Sequence, residues 1–414
     1  MMENMHINKA LDKLFNESEL LDIAMSMIRT DSSTICPERE NNLARYLLNL
    51  FQKEGISCYF QPVTGGRGNI IAILKGKGTG KSLMFNGHMD TVPAGTMKNA
   101  FYPTLKNGIL WGRGAADMKG GLAAMVYAMI LLHRSDISLD GDVVFSGVID
   151  EEAAKSSGSR YIADYGPKTD YAIVGEPTGL HLVTAHKGID YFAIHFTGKA
   201  AHSSVPENGI NAIYAASEYV LKLKNYLVPN YQKKIHPLLG NPVINPGVIS
   251  GCAKANDPFL HGESETFAGI VPDNCSLWID IRWIPGQNIK QIIDDLSNLG
   301  VSIQSQYPGL SIKVEYIPLP RPAMEIPIND PFTILVSDIV RSYDPDAGDV
   351  QGGSYFADSG ILYGIGKINS IVLGPGDIQY AHSEEEHVPF KQILNAAKIY
   401  FKTAARLCGK CCER

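Results

Sequence analysis

The sequence predicts an α/β protein, a sheet flanked by helices on both faces and interrupted near its middle by a second, smaller domain. Three observations predict it. Short apolar runs suited to buried strands alternate with helix-length amphipathic segments, as in an α/β sheet. Between about residues 187 and 320 that pattern gives way to the order βαββαβ, and strand-like and helical segments resume after Pro322. The chain, at 414 residues, is too long for one ordinary domain and comfortable for two.

Two helical patterns open the chain, Ser18 to Arg29 and Pro37 to Glu54, with Pro37 where a first helical turn accepts proline. Strands follow at Asn69 to Leu74 and Ser82 to Asn86, separated by a turn carrying Gly76, Gly78 and Gly80. An amphipathic helix is predicted from Gly121 to about His133, and buried strands at Asp142 to Ile149, Tyr171 to Gly175 and Ser370 to Gly374. In the middle, Tyr191 to Thr197 alternates as a half-exposed strand and Asn211 to Leu227 is helical. Pro246 to Ser250 is a short strand, Ser276 to Trp283 a clear one, Asn288 to Leu299 a helix and Leu310 to Ile317 a closing strand. This is the ferredoxin-like order. The expected division is residues 1–186 with 321–414 as one domain and 187–320 as an insertion.

Composition excludes several functions. Hydrophobic residues at 45% and charged residues at 19% give a globular balance rather than a disordered one. With 37 Lys and Arg against 43 Asp and Glu, and no basic run that could track phosphates, nucleic acid is not expected as a partner. Met1 to Lys13 lacks the apolar core of a signal peptide, and Leu122 to Leu132 falls short of the ~20 residues that span a bilayer. A soluble, cytoplasmic protein with no membrane contact is expected. Of seven cysteines, Cys408, Cys411 and Cys412 gather at the end without a second Cys or His pair nearby, which reads as a reduced tail rather than a metal knuckle.

Five segments place His, Asp or Glu directly after a predicted strand or in the loop behind one. They are Gly87-His88-Met89-Asp90, Ala116-Asp117-Met118-Lys119, Asp150-Glu151-Glu152, Gly175-Glu176-Pro177 and Ala381-His382-Ser383. Ligands of open α/β sheets bind beyond the carboxyl ends of the strands, so these loops can converge. Two imidazoles with several carboxylates suit zinc or a similar divalent ion, and Asp117 is the candidate bridge of a metal pair. A lone histidine or acid pair is ordinarily a hydrogen-bonded or solvated residue; five such elements at strand ends are together a site.

Gly87 to Pro93 (GHMDTVP) and Gly112 to Gly121 (GRGAADMKGG), with the three later segments, resemble the site signature of the acetylornithine deacetylase, succinyl-diaminopimelate desuccinylase and aminoacylase family, in order over nearly the whole chain. The resemblance also takes in the glutamate carboxypeptidases of that group. It implies a zinc-exopeptidase-like catalytic domain with a mixed sheet between helices, plus a lid or dimerisation domain at the ferredoxin-like insertion. It further implies two zinc ions, with cobalt or manganese as possible substitutes. His88 and Glu176 would hold one ion, Glu152 and His382 the other, and Asp117 both. Asp90, two residues beyond His88, would orient the His88 ring. Glu151 would be the general base, taking a proton from a water that zinc makes acidic and passing it to the leaving amine. His202, in Gly198 to Ser204, resembles the family histidine that reaches a partner subunit's site and donates to the oxyanion, which implies a homodimer through the inserted domain.

Arg282 is a candidate for a substrate carboxylate, against an ion pair in the neighbourhood of Asp280. Gly353 and Ser354 sit in a turn, Gly352-Gly353-Ser354, that resembles the family's substrate-binding turn, and the resemblance is weaker over the Tyr355-Phe356-Ala357-Asp358 that follows. The chain departs from the family at Gly269, where the family commonly carries Asn before the Val-Val-Pro or Val-Ile-Pro that Ile270-Val271-Pro272 stands for here, which puts the substrate preference in question. The expected substrate is an N-acyl amino acid, with a di- or tripeptide or a carboxypeptidase substrate as the alternative.

Overall fold

The structure is a computed structural model that describes residues 2–153, 155–254, 269–345 and 347–409. It divides into two units, one running to His186 and again from Met324, the other Lys187–Ala323. The second break falls at Ala323 rather than at residue 320, because the closing strand of the inserted unit continues to Arg321.

Strands in chain order are β1 (Ser57–Thr64), β2 (Arg67–Leu74), β3 (Leu83–His88), β4 (Thr104–Lys106), β5 (Ile109–Trp111), β6 (Val143–Val148), β7 (Tyr171–Val174) and β8 (Leu182–His186). The inserted unit holds β9 (Gly188–Thr197), β10 (Val243–Cys252), β11 (Asn274–Trp283) and β12 (Ser311–Arg321). The first unit then resumes with β13 (Met324–Glu325), β14 (Val350–Gly353), β15 (Asn369–Val372) and β16 (His387–Pro389).

The first unit is built on a nine-stranded mixed sheet in the order β1-β2-β6-β3-β7-β15-β8-β13, with β14 also pairing β8. Its centre is parallel, β6 with β3, β3 with β7 and β7 with β15. These strands are buried on both faces and therefore read as continuous apolar runs. Leu83 and Phe85 of β3, Phe145 of β6 and Ile371 of β15 point into one core, while Met84, Val144 and Val372 point into the other. The strand period of two divides each run between two helical layers.

Helix Gly120–Arg134 is buried at every residue from Gly120 to Leu132. With the turn before it, the run Ala115–Arg134 is long and apolar enough to cross a bilayer, longer than the sequence suggested, yet every residue from Ala115 to Leu132 is buried inside the protein. It is a core helix. Gly121 lets it come close, since a Cβ there would stand 2.3 Å from the carbonyl oxygen of Gly175 at the end of β7.

The inserted unit is a four-stranded antiparallel sheet, β10-β11-β9-β12, the ferredoxin-like order. Helices Ala212–Lys222 and Ile289–Gln304 carry its core, in which Tyr219 and Leu296 meet Phe192, Phe196 and Leu277. Asn211 and Asn288 cap these helices, their side-chain oxygens accepting the N–H groups of Ile213 and Lys290. The strand expected at Pro246 to Ser250 runs from Val243 to Cys252, with a register shift between Pro246 and Val248. Proline is tolerated there because β10 is an edge strand.

Gly121→Ala tests the close approach. Alanine is worth about 1 kcal/mol to a helix over glycine, but the clash with a backbone oxygen should outweigh it. Urea unfolding should show a net loss of about 1–3 kcal/mol, the usual cost of overpacking a core. Equal or higher stability would show that the helix has room to move away.

Candidate active site

The parallel centre of the sheet brings its chemistry to one edge. His88 is the last residue of β3, Asp150 to Glu152 follow β6, Glu176 follows β7, and the chain beyond β15 reaches His382. Asp117 lies in the tight turn Ala115–Lys119 that leads into the core helix, and its peptide bond to Met118 is cis.

Asp117 faces both imidazoles. Its Oδ1 lies 2.9 Å from His88 Nε2 and its Oδ2 3.3 Å from His382 Nε2. Glu176 approaches His88 at 3.7 Å, and Glu152 approaches His382 at 2.9 Å. Ligand atoms of His88, Asp117 and Glu152 all lie within 4.8 Å of one another. The five residues expected to hold metal are thus together, in two halves joined by Asp117. A donor set of two imidazoles and three carboxylates, one of them turned to both rings, fits a pair of divalent cations.

Asp90 acts differently from the expectation. The His88 Nδ1 group donates to the backbone carbonyl of Asp90 at 2.9 Å, while the Asp90 carboxylate stands 3.6 Å away. That carboxylate instead accepts the backbone N–H groups of Glu151 at 3.2 Å and Glu152 at 2.9 Å. It therefore fixes the loop that carries the candidate base and one candidate ligand. The main chain, not the side chain, orients the ring.

The site crowds acids in a buried place, and the proton affinities record it. Burial pushes the Asp90 and Glu176 carboxyls up to about 7. Burial also raises Glu151 well above the usual carboxylate range, opposed by His88 and reinforced by Glu176. Burial would raise Asp117 too, but hydrogen bonds from His382 and His88 hold it well below that range. His382 is raised to about 10 by its hydrogen bonds to Asp117 and Glu152. Among the described residues, Asp117, Glu152 and Glu176 form ion pairs with these two imidazoles alone. Positive charge belongs here, as protons on the rings or as cations between the ligands.

Sequence reasoning missed the residues that hold the loops. Glu386 is buried and accepts the backbone N–H groups of Ala116 and Asp117, each at 3.1 Å, while pairing with Arg113. It hides in the acidic run Glu384-Glu385-Glu386, which reads as solvated surface. Arg67 pairs with Glu40 at 3.0 Å and Asp150 at 2.8 Å, and Glu40 accepts the Asp150 N–H at 3.2 Å. Asp150 sits at φ 66°, a left-handed conformation held by these contacts immediately before Glu151. Only spatial neighbourhood identifies Arg67 and Glu40.

The remaining candidates divide between the units. Gly353 is buried at the end of β14 beside His186 of β8, and Ser354 follows it, exposed. In the inserted unit, Arg282 makes a two-pronged ion pair with Asp280, Nε to Oδ1 and Nη2 to Oδ2 both at 3.0 Å. The structure thus shows the ion pair with Asp280, made through Nε and Nη2. His202 is exposed, and its Nδ1 accepts the Ser204 N–H at 3.2 Å, which assigns the ring proton to Nε2. Gly269 lies against this segment, its carbonyl accepting the Ser203 N–H at 3.0 Å.

Residues 84–406 match peptidase family M20/M25/M40, and the chain belongs to that family. It is a hydrolase of amide bonds. The acetylornithine deacetylase of Proteus mirabilis is 30% identical over 88% of this chain and 88% of its own length. The N-formyl-4-amino-5-aminomethyl-2-methylpyrimidine deformylase of Bacillus subtilis is 25% identical over 95% of this chain and 96% of its own. Among solved structures, the aminopeptidase PepT of Bacillus cereus superposes with a TM-score of 0.78 at 20% identity, covering 95% of this chain and 99% of that one.

Glu386→Gln keeps the shape of the side chain and removes its charge beneath the Asp117 loop. Metal affinity should fall by roughly 10–100-fold, the usual loss when a group supporting a ligand is changed. Titrating chelator-stripped protein with zinc checks it. Undiminished affinity would show that Asp117 holds its place without Glu386.

Proposed function

We propose that this amidohydrolase cleaves the acyl group from an N-acyl amino acid, using two divalent cations held by His88, Glu176, Glu152, His382 and the shared Asp117. The observation that carries the reading is Asp117, whose two carboxylate oxygens face separate imidazoles. The named relatives support the choice of substrate, being a deacetylase and a deformylase. Zinc suits the donors, with cobalt or manganese as substitutes. Bound there, the cations would supply Lewis acidity towards the substrate carbonyl and acidify the attacking water. Glu151 takes the proton of that water and returns it to the leaving amine; its burial favours the protonated form it must pass through. Asp90 keeps Glu151 aimed by holding the loop's N–H groups.

The reading includes a homodimer through the inserted unit. Edge strand β10 exposes Val248 and Ile249, with Trp278 exposed on the strand beside it. An apolar edge with no further strand against it among the described residues favours strand pairing with a second copy. His202, with its proton on Nε2, is a donor suited to an oxyanion in the partner's site.

A hydrolysis panel decides the substrate. N-acetyl, N-formyl and N-succinyl amino acids should be cleaved with higher kcat/KM than unblocked di- and tripeptides, in the presence of zinc, cobalt or manganese. Cleavage of the peptides alone would replace the deacylase reading with a peptidase one. Glu151→Gln should lower kcat by roughly 10²–10⁴ with both metals retained. Mixing Glu151→Gln chains with His202→Ala chains should restore part of the activity. No recovery in proven heterodimers would rule out donation by His202 across the interface.

A further inference from the structure

Tyr355 stands immediately after the Gly352-Gly353-Ser354 turn. Its ring packs against the core cluster that includes Val174, the last residue of β7 before Gly175 and Glu176, and Val183 of β8. A Cβ at Gly353 would stand 3.6 Å from the Tyr355 ring, so the turn lies close against it. The phenolic hydroxyl is shut off from solvent and has no hydrogen-bond partner among the described residues. Buried hydroxyls are nearly always paired, because an unpaired one gives up its bonds to water for nothing. The carboxylates of Glu176 and Asp117 are near enough to act on this buried phenol, and a tyrosine hydroxyl in its ordinary form is a donor. It is therefore a hydrogen-bond donor beside the candidate metal centre, lacking an acceptor.

We propose that Tyr355 is a substrate-binding residue, donating its hydroxyl hydrogen to a substrate oxygen at the Glu176 side of the centre. The acceptor is an oxygen that carries or gathers negative charge, either the scissile carbonyl or the substrate's carboxylate. A neutral phenol bonds such an oxygen without adding a positive charge to compete with the cations. The inference rests on the amidohydrolase reading and adds a specificity contact that the ligand set does not supply.

Tyr355→Phe removes the hydroxyl and keeps the ring. Four quantities are measured on the metal-loaded protein and the variant: metal content, kcat and KM for the best-cleaved N-acyl amino acid, and Kd for that compound in a Glu151→Gln background. The inference expects two metals per chain in both, with kcat/KM lower by roughly 10–100-fold in the variant, the scale of one hydrogen bond to a charged oxygen. A loss mainly in kcat identifies the carbonyl as the acceptor. A loss in KM matched by a weaker Kd identifies the carboxylate. Unchanged kcat/KM and Kd overturn the inference, and so does loss of a metal, which would make Tyr355 a partner of Glu176 instead. If the unaltered protein neither binds nor cleaves any N-acyl amino acid or peptide, the amidohydrolase reading fails and the inference falls with it.

Discussion

The rest of the site depends on one carboxylate turned towards two imidazoles. Asp117 meets His88 through one oxygen and His382 through the other, and each ring meets a further carboxylate, Glu176 or Glu152. Buried acids at such close quarters repel one another and lose their hydration, a cost that only nearby positive charge offsets. Both imidazoles are raised above their ordinary range, which records that demand. Divalent cations meet it better, and they also supply the Lewis acidity that amide hydrolysis needs.

Much of the first unit serves to hold that arrangement. Parallel strands β6, β3, β7 and β15 deliver four of the five loops to one edge, as parallel strands do in open sheets. The fifth loop comes from the start of the core helix, which Gly121 lets approach the end of β7. Two of these loops, those of Asp117 and of Asp150 to Glu152, are then tied by charged groups. Asp90 holds Glu151 and Glu152, Glu386 holds Asp117, and Arg67 with Glu40 holds Asp150. Active-site geometry of this kind relies on supporting contacts as much as on the ligands.

Four of the candidate ligands, His88, Glu152, Glu176 and His382, could be picked out in the sequence because they end or come after the mostly apolar strands of the parallel centre, and strand ends are where such a sheet binds. The parallel strands could be recognised for the same reason. Edge strands were not so plain. β1 is mostly exposed and contains Pro62 at a register shift, so it shows no clean alternation. β10 seemed short because Pro246 interrupts it, yet its pairing runs from Val243 to Cys252. The supporting residues were illegible for a different reason. Arg67 lies 83 residues from Asp150, and Glu386 lies 269 from Asp117, so only the folded chain joins them. The Asp90 role was misassigned because residue spacing indicates which side chains share a face but not whether a side chain or a carbonyl takes the bond.

The central claim is that Asp117 belongs to two metal centres at once. Calorimetric titration of chelator-stripped protein with zinc tests it most directly, comparing the unaltered chain with Asp117→Ala. The account predicts two equivalents bound by the unaltered chain and a weakening at both sites in the variant. One equivalent bound by Asp117→Ala at undiminished affinity would contradict it, because one centre would then stand without the shared carboxylate.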